Sequence, residues 1–396
     1  MNVNGDFPIL KSSNNKNLIY LDSAATTLKP QKVIDTVNEF YNELTSNVFR
    51  GAHVNSEKVS IKFDNVRKKV AYYINANYEE IIFTHNATDA INKLSEMLDI
   101  KDDDIIVNSI LEHHSNYLPW RMKGKLISVG IDSRGNIDIN ELKDILDKNN
   151  VKLVAITMVS NVTGNVQPIK QIVSLCKEKG VLTLVDASQA VSHMKISVKD
   201  VGCDFMAFSG HKMLSPSGVG VLYVSKGQID SLSIPQFGGG MVDKITDSSI
   251  KYKSAPYCFE AGTPAIESVL GLGAAIDYIN SIGIENIEKH MFELSDYFIE
   301  KIKDCDFIKM PFAISGKHVP IFTILPSNNK MDIKYISRIL SDSYGIAVNA
   351  GYQCCQPLYN FFNLHGGIRM SLYIYNDKRD IDAVVAALED IKYLLK

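Results

Sequence analysis

Two stretches of the sequence, Leu182-Thr-Leu-Val-Asp-Ala-Ser-Gln189 and Asp204-Phe-Met-Ala-Phe-Ser-Gly-His-Lys212, decide the fold. In each stretch a run of mostly apolar, β-favouring residues leads into polar residues, with Asp186 after the first run and Lys212 near the end of the second. Runs that are apolar throughout, without alternation, are typical of strands whose sheet is covered by helices on both faces. The two stretches therefore predict strands of a buried, mostly parallel sheet, each ending in a polar turn.

Strand-like and helical patterns alternate on both sides of these stretches, from residue 80 to about residue 225. Strands are expected at 81–84, 105–110, 125–129, 153–159, 182–185, 204–209 and 218–224. Helices are expected between them at 88–98, 139–148 and 169–179, and upstream at 31–44 and 57–74, after a short strand at 18–21. This alternation predicts an α/β fold with a mostly parallel seven-stranded sheet.

The final third of the chain has a different pattern, which predicts a smaller α+β domain. Long helices are expected at 264–282 and 284–304, followed by a strand at 319–325, a helix at 334–344, a strand at 369–374 and a helix at 379–395. The chain has 396 residues, more than the roughly 250–300 at which a single core stops growing. We therefore expect a large domain over 18–285 and a small one over 286–396, with residues 1–17 packing near the small domain.

Composition excludes several classes of protein. The chain is 45% hydrophobic and 22% charged, with a net charge of −3 and no basic cluster of the kind that binds nucleic acid. Its longest apolar runs are far shorter than the roughly 20 residues that a membrane helix needs, and the polar N-terminus lacks the apolar core of a signal peptide. These features predict a cytoplasmic protein with neither a membrane nor a nucleic-acid partner.

The six cysteines include no CxxC pair, so no zinc framework is expected.

Polar residues follow several predicted strands. Asp186 and Gln189 follow one strand, Ser209 to Lys212 another and Asn161 a third, while Thr88 opens a helix. Ligands of open α/β sheets bind beyond the carboxyl ends of the strands, so these side chains are expected to form one site. Pyridoxal phosphate needs a lysine for covalent attachment, an acid beside its ring nitrogen and N–H groups or hydroxyls for its phosphate. The pattern predicts this cofactor.

Each motif also has a plain structural interpretation. An aspartate at a strand end is often a helix cap, Ser209 to Lys212 fits a solvated loop, and residues 160–164 fit a turn. The adjacent His113 and His114 suggest a metal, but no third ligand lies at a useful spacing, so no metal site is predicted. The order of the motifs and their positions at strand ends favour the cofactor site over these separate interpretations.

Seven segments of the chain make a more specific resemblance visible. They are Leu21-Asp-Ser-Ala-Ala-Thr-Thr27, Arg50-Gly-Ala-His53, Glu112-His-His-Ser-Asn116, Ser160–Gly164, Asp186–Gln189, Ser209–Lys212 and Phe259-Glu-Ala-Gly-Thr-Pro264. In order and spacing they resemble the class V aminotransferase family, and within it the group II cysteine desulfurases and selenocysteine lyases. The resemblance runs from about residue 18 to the C-terminus and implies the aspartate-aminotransferase-like architecture of fold-type I enzymes.

The resemblance implies a role for each matching residue. Lys212 would carry the cofactor covalently and act as acid and base, with His113 stacked on the ring as a second catalytic residue. Asp186 would pair with the ring nitrogen. The remaining contacts to cofactor and substrate would come from Thr88, Ser209 and His211 at the phosphate, Asn161 and Gln189 at the ring hydroxyl, and Asn161 and Ala25 on the substrate side.

Two further residues are assigned by the resemblance. Thr263 would reach the phosphate of the neighbouring subunit, which implies a homodimer with shared active sites. Arg369 would bind the substrate carboxylate, a task suited to the two-pronged guanidinium. The alternative for Arg369 is a surface salt bridge, although an arginine flanked by apolar residues at a strand start requires an anionic partner.

The segment Gly351-Tyr-Gln-Cys-Cys-Gln-Pro357 is expected to be a loop that exposes a reactive thiol, and reactive cysteines need such exposure. By the resemblance Cys354 would be the catalytic cysteine; the alternative is a pair of structural cysteines. Group II enzymes usually read Arg-x-Gly-His-His-Cys here, whereas this chain has Asn349, Tyr352 and Gln353. A cation and two imidazoles are therefore absent just before the nucleophile.

Together these features predict a dimeric enzyme that removes sulfur from L-cysteine, leaving L-alanine and a persulfide on Cys354 for an acceptor protein, as in iron–sulfur cluster assembly. A first alternative is a selenocysteine lyase or another class V enzyme, such as a transaminase, epimerase or C–S lyase. A second is a regulatory protein that binds the cofactor without catalysis. The presence of Lys212, Asp186 and Arg369 together favours an enzyme.

Overall fold

The structure is a computed structural model that describes residues 1, 3–15, 17–314, 316–328 and 331–396. Within them the strands are β1 (Ile19–Tyr20), β2 (Ile81–Thr84), β3 (Ile105–Ser109), β4 (Lys125–Val129), β5 (Val151–Thr157), β6 (Leu182–Asp186), β7 (Phe205–Ser209), β8 (Gly220–Val224), β9 (Val242–Thr246), β10 (Ser249–Tyr252), β11 (Ile308–Lys309), β12 (Ile321–Pro326), β13 (Ile346–Ala347), β14 (Asn349–Gly351) and β15 (Gly367–Ser371).

The α-helices within the same residues cover both faces of the main sheet and the outer side of a smaller one. They are α1 (Pro8–Lys11), α2 (Gln31–Glu39), α3 (Val54–Tyr73), α4 (Ala87–Met97), α5 (Leu118–Lys123), α6 (Ile139–Lys148), α7 (Ile169–Glu178), α8 (Val198–Val201), α9 (Lys226–Ile229), α10 (Ile266–Ile282), α11 (Ile284–Ile302), α12 (Ile333–Tyr344), α13 (Gln356–Phe361), α14 (Lys378–Asp390) and α15 (Lys392–Leu395).

The main sheet has seven strands in the order β2-β8-β7-β6-β5-β3-β4. The strands from β7 through β4 are parallel, and β8 runs antiparallel to both of its neighbours. Successive side chains along β7 enter different cores: Phe205 packs on the α4 and α5 side, while Met206 packs on the opposite side. Because both faces are covered, the strands lack polar alternation, and the predicted α/β fold with its mostly parallel sheet is confirmed.

The carboxyl ends of β5, β6 and β7 lie side by side. Thr157 is the register partner of Asp186, and Asp186 is the partner of Ala207. The residues just beyond these positions therefore meet at one edge of the sheet, which is where open α/β sheets bind ligands.

A second, antiparallel sheet has four strands in the order β11-β12-β15-β14. It carries Arg369 on β15, opposite Thr323 on one side and Asn349 on the other. Strand β14 was not predicted, because its Asn-Ala-Gly sequence has no β-favouring residue and is ordered by pairing with β15. The loop expected at 351–357 occupies residues 352–355, between β14 and α13. The hairpin of β9 and β10 was also not predicted, because most of its side chains are exposed and give no burial pattern.

The N-terminal segment packs against aromatic residues from two later parts of the chain. Phe7 is fully buried, with its ring edge-on to Tyr278 and Tyr375 at centroid distances of 6.1 and 5.0 Å. The Tyr278 hydroxyl donates to Asp6 at 2.7 Å.

Gly283 ends α10 with a positive φ of 89°, and α11 begins at the next residue. The division into domains at residue 285 stays a prediction.

No helix in the described part of the chain combines the length and the apolar character needed to cross a membrane.

Candidate active site

A cavity of about 510 Å³ opens where the carboxyl edge of the main sheet faces the small sheet. Most of the site residues predicted from the sequence line this cavity, and they come from both sheets and from the N-terminal segment. They are Ala25, Thr88, His113, Asn161, Asp186, Ser209, His211, Lys212, Cys354 and Arg369.

Two of the predicted site residues, Gln189 and Thr263, do not line this cavity. Gln189 is buried behind the cavity wall, where its side-chain amide donates to the carbonyl of Ala24 at 2.8 Å. It therefore holds the segment that carries Ala25. Thr263 lines a neighbouring pocket, and its hydroxyl accepts from Asn47 at 3.4 Å.

Lys212 lies in the short 3₁₀ turn that follows β7, with its amine in the cavity. Burial lowers the pKa of this amine; the charge of Asp186 acts in the opposite direction and that of Arg369 lowers the pKa further. Among the described residues, none forms a hydrogen bond or an ion pair with the amine. A lysine with a lowered pKa and a free amine is suited to covalent attachment of an aldehyde, because only the neutral amine is nucleophilic.

Asp186 ends β6 and is only 5% exposed. One carboxylate oxygen accepts from the backbone N–H of Ser188 at 2.9 Å, and no cation of the described residues pairs with it within 4 Å. A buried carboxylate without a cationic partner is costly. The protonated ring nitrogen of pyridoxal phosphate would supply that partner, so Asp186 and Lys212 together fit the cofactor.

The opposite end of the cavity is suited to a phosphate. Helix α4 begins there at Ala87, whose N–H donates to Ser209 Oγ at 2.8 Å. Thr88 follows, with its hydroxyl 2.6 Å from that of Ser115. Free N–H groups at the start of a helix, together with hydroxyls, form the usual phosphate-binding arrangement.

His113 caps the turn over 114–116 and projects into the cavity. Its Nδ1 accepts from the backbone N–H of Ser115 at 3.1 Å, which places the ring proton on Nε2. Burial, followed by the charge of Lys212, lowers the pKa of His113 to about 3. The imidazole is therefore neutral at physiological pH and available for stacking on an aromatic ring.

Cys354 is exposed at the cavity, and its backbone is held from both sides. Its carbonyl accepts from the backbone N–H of His114 at 2.7 Å, while the carbonyl of Gln353 accepts from the Asn161 side chain at 2.8 Å. Both Gln353 and Cys354 have positive φ, 43° and 56°. Such left-handed conformations are unfavourable for these residues and persist only where the surroundings enforce them.

Gln353 supports the loop that carries Cys354, a role that the sequence did not predict. Its side chain is 9% exposed and donates to the carbonyl of Gly367 at 3.1 Å, while its amide oxygen accepts from the hydroxyl of Tyr359. The side chain therefore holds the residue before Cys354 against β15. The signal in the sequence was the departure from the resembled pattern at this position.

The neighbouring Cys355 has a different environment. It is fully buried, its Sγ donates to the carbonyl of Ile110 at 3.6 Å, and burial raises its pKa. A buried thiol with a raised pKa is a poor nucleophile, so only one thiol of the pair is suited to chemistry.

Arg369 projects from β15 and is 3% exposed. Its Nη2 pairs with Asp22 at 2.9 Å and its Nη1 donates to the carbonyl of Asn161 at 3.1 Å, whereas Nε has no partner among the described residues. The expected anionic partner therefore exists within the chain. The sequence gives no sign of this pair, because Asp22 and Arg369 are 347 positions apart along the chain.

A lysine, a buried unpaired carboxylate and an anion-binding helix start, brought together at the carboxyl ends of parallel strands, define a fold-type I pyridoxal-phosphate site. The comparison with protein families is in agreement. The family model described as aminotransferase class-V matches residues 19–384, and the chain belongs to that family. Members of the family use pyridoxal phosphate, so the predicted cofactor is confirmed.

Curated relatives match over nearly their whole length. A probable cysteine desulfurase of Halalkalibacterium halodurans is 37% identical, with 98% of this chain and 96% of that protein covered. A cysteine desulfurase of Pectobacterium carotovorum is 35% identical, with 99% and 98% covered. Among solved structures, the apo cysteine desulfurase of Thermococcus onnurineus has a TM-score of 0.92 at 31% identity, with 99% and 97% covered.

Proposed function

We propose that this chain is a pyridoxal-phosphate-dependent cysteine desulfurase that transfers sulfur from L-cysteine to Cys354 and releases L-alanine. One observation carries the proposal: the exposed thiol of Cys354 lies in the same cavity as Lys212 and Arg369. A transaminase would need the lysine and the arginine but has no use for a thiol there. The names of the relatives support the same activity.

The residues divide the work as follows. When bound, pyridoxal phosphate supplies an electron sink that weakens bonds at the substrate Cα. Arg369 binds the substrate carboxylate, and the neutral amine of Lys212 takes and returns the proton at Cα. Cys354 Sγ, as a thiolate, forms a bond with the substrate sulfur while the Cβ–S bond breaks and its electron pair passes to the substrate carbon skeleton. Proton return then gives L-alanine and a persulfide on Cys354.

The cofactor would be held by residues at both ends of the cavity. Asp186 would face the ring nitrogen and neutral His113 the ring surface, with Asn161 near the ring hydroxyl. Thr88, Ser209 and His211 would hold the phosphate, whereas Gln189 would act through the Ala24 carbonyl that it binds. Burial, with the charges of Lys212 and Lys29, lowers the pKa of His211 to about 4, so that this side chain is a neutral hydrogen-bonding group.

A homodimer is part of the proposal. Thr263 lies in a pocket adjacent to the cavity rather than in it, and the two pockets share His85 and Gly218. A partner subunit would bring its Thr263 to this cavity, as the resemblance implies. The exposed apolar side chain of Phe49, which lines that pocket, is consistent with a covered face in the dimer.

The branch of the family, the location in the cell and the fate of the persulfide are inferred from the sequence. We place the chain in the group II branch, in the cytoplasm, with its persulfide passed to an acceptor protein for iron–sulfur cluster assembly or another thiolation reaction. Support comes from the motif order around Arg50 and His113 and from the exposure of Cys354. The division into domains at 18–285 and 286–396 is part of the same proposal.

Alanine and sulfide production from L-cysteine by the purified holoenzyme tests the activity. Wild type should make both in the presence of a thiol reductant, Cys354→Ser should make neither, and Cys355→Ser, the matched control, should remain active. A Cys354→Ser variant that makes alanine at the wild-type rate would contradict the proposal and favour a lyase or transaminase. A strong preference for selenocysteine over cysteine would assign the selenocysteine lyase activity instead.

A further inference from the structure

At the end of the cavity that would receive the substrate carboxylate, the cation is already paired with an anion of the same chain. Arg369 supplies the cation, with 4% of its side chain exposed, and Asp22 supplies an anion 2.9 Å away, with 22% exposed. The two charges cancel before any substrate is bound. An arginine that is held only by neutral groups would instead present its full positive charge to a ligand.

Asn349 completes the cluster. It lies directly opposite Arg369 in the β14–β15 ladder, and its side-chain amide donates to the second oxygen of Asp22 at 3.4 Å. A cation at this cross-strand position would share Asp22 with Arg369 and leave one positive charge unpaired. The neutral amide of Asn349 adds no charge, so no positive charge is left unpaired in this cluster.

An incoming carboxylate must therefore bind Arg369 in the presence of Asp22. The guanidinium has donors left for a second acceptor, because among the described residues its Nε has no partner and its Nη1 binds only the Asn161 carbonyl. However, two like charges on one guanidinium repel each other, and in a partly desolvated site that repulsion is weakly screened. Asp22 thus orders the arginine and at the same time competes with the substrate for it.

We propose that Asp22 is a specificity-determining residue that lowers the affinity of this site for carboxylates and weakens its discrimination between an amino acid and the corresponding amide. The inference rests on the proposed function for the class of substrate, an α-amino acid. It assigns the charge balance of the site to the Asp22–Arg369–Asn349 cluster rather than to Arg369 alone.

The test measures binding to the holoenzyme by the absorbance change of the bound cofactor. L-Alanine and L-alaninamide serve as probes because they differ in the carboxylate alone. Asp22→Asn should lower the dissociation constant of L-alanine by about tenfold, the size expected when one nearby like charge is removed. The constant for L-alaninamide should change by less than about twofold, a difference worth under about 0.4 kcal/mol.

Asn349→Arg changes the charge of the same cluster by adding a cation, while Asp22 stays in place. It should also tighten L-alanine relative to L-alaninamide. Asp104→Asn is the matched control: its carboxylate is 25% exposed and pairs with Lys152 at 3.0 Å, but it precedes β3 at the opposite edge of the sheet. Its alanine-to-alaninamide ratio should equal that of wild type.

Weaker or unchanged binding of L-alanine by Asp22→Asn would overturn the proposal, since Asp22 would then act only by holding Arg369. If Asp22→Asn fails to fold, Asp22→Ser, which also removes the charge, is measured in its place. These constants require the bound cofactor but no sulfur transfer. Absence of desulfuration would therefore refute the proposed function while leaving this test interpretable.

Discussion

Lys29 donates its ammonium group to the backbone carbonyl of His211 at 3.0 Å, on the peptide that leads directly into Lys212. The same carbonyl accepts from the N–H and hydroxyl of Thr27, both at 3.0 Å, and from the hydroxyl of Thr26 at 3.2 Å. Four donors from one short N-terminal segment thus converge on a single oxygen. The segment fixes the turn that carries the reactive lysine.

Lys29 has no carboxylate partner among the described residues, and burial lowers its pKa from 10.5 to about 7. Between these two values the folded chain binds fewer protons than the unfolded chain, so this group makes stability rise with pH. The free energy of unfolding of wild type relative to Lys29→Met should therefore grow from pH 7 to pH 9, by up to about 1.4 kcal/mol per pH unit. Urea unfolding at several pH values measures the difference.

Lys69→Met is the control for this series, because Lys69 forms a half-exposed ion pair with Asp277. Its difference from wild type should stay flat over the same pH range. A flat difference for Lys29→Met as well would show that Lys29 stays charged throughout and that the carbonyl oxygens alone stabilise it.

A second prediction concerns the hydrogen bond from Tyr359 to the Gln353 side chain. Tyr359→Phe leaves the buried amide oxygen of Gln353 without that donor, which should cost about 1–3 kcal/mol of stability. It should also slow persulfide formation on Cys354 in a single turnover, because the strained backbone at 353 and 354 loses a support. The absorbance of the bound cofactor should not change.

Tyr352→Phe is the local control for that prediction. The ring of Tyr352 packs edge-on against Tyr359 at 5.6 Å, and no hydrogen bond of its hydroxyl occurs among the described residues. Rapid-quench measurement of the persulfide should give wild-type rates for this variant. Equal rates for both variants would mean that the loop is held by backbone contacts alone.

A third prediction uses the exposure of the cysteines. Cys354 is exposed and Cys305 is intermediate, while the other four are buried. Iodoacetamide should therefore modify Cys354 first in the folded protein, Cys305 more slowly and Cys355 only after unfolding. Peptide mass spectrometry at successive times gives the order. Early labelling of Cys355 would show that the loop opens in solution.

The sequence was sufficient for the sheet because burial leaves a strong pattern: β6 and β7 lie where uninterrupted apolar runs predict them. It was also sufficient to bring Asp186 and Lys212 together, since parallel strands end at one edge. It could not predict the pairing of Asp22 with Arg369, which depends on how the N-terminal segment crosses β15. Thr263 lies outside this cavity, as its expected role at the neighbouring subunit requires, and that role stays a prediction.

The last prediction concerns the buried ion pair beneath the Thr263 segment. Arg67 is fully buried and binds both oxygens of Glu260, at 2.6 and 2.8 Å. Its guanidinium lies 4.4 Å from the ring centre of Phe83, and the backbone N–H of Phe83 donates to Glu260 at 2.7 Å. Glu260 therefore ties the segment leading to Thr263 to strand β2.

Glu260→Gln removes the charge that compensates Arg67 and should destabilise the chain by about 3–5 kcal/mol. Arg67→Met/Glu260→Leu removes both charges, and replacement of a buried pair by apolar groups is often neutral, so the double variant should recover most of that loss. Urea unfolding of the single and double variants measures this coupling. In the proposed dimer the double variant should still bind its cofactor less tightly than wild type, because Thr263 loses its anchor. If the double variant is instead less stable than Glu260→Gln, whose amide oxygen can still accept from the Phe83 N–H, the hydrogen bond to Phe83 rather than the charge pair is what stabilises this segment.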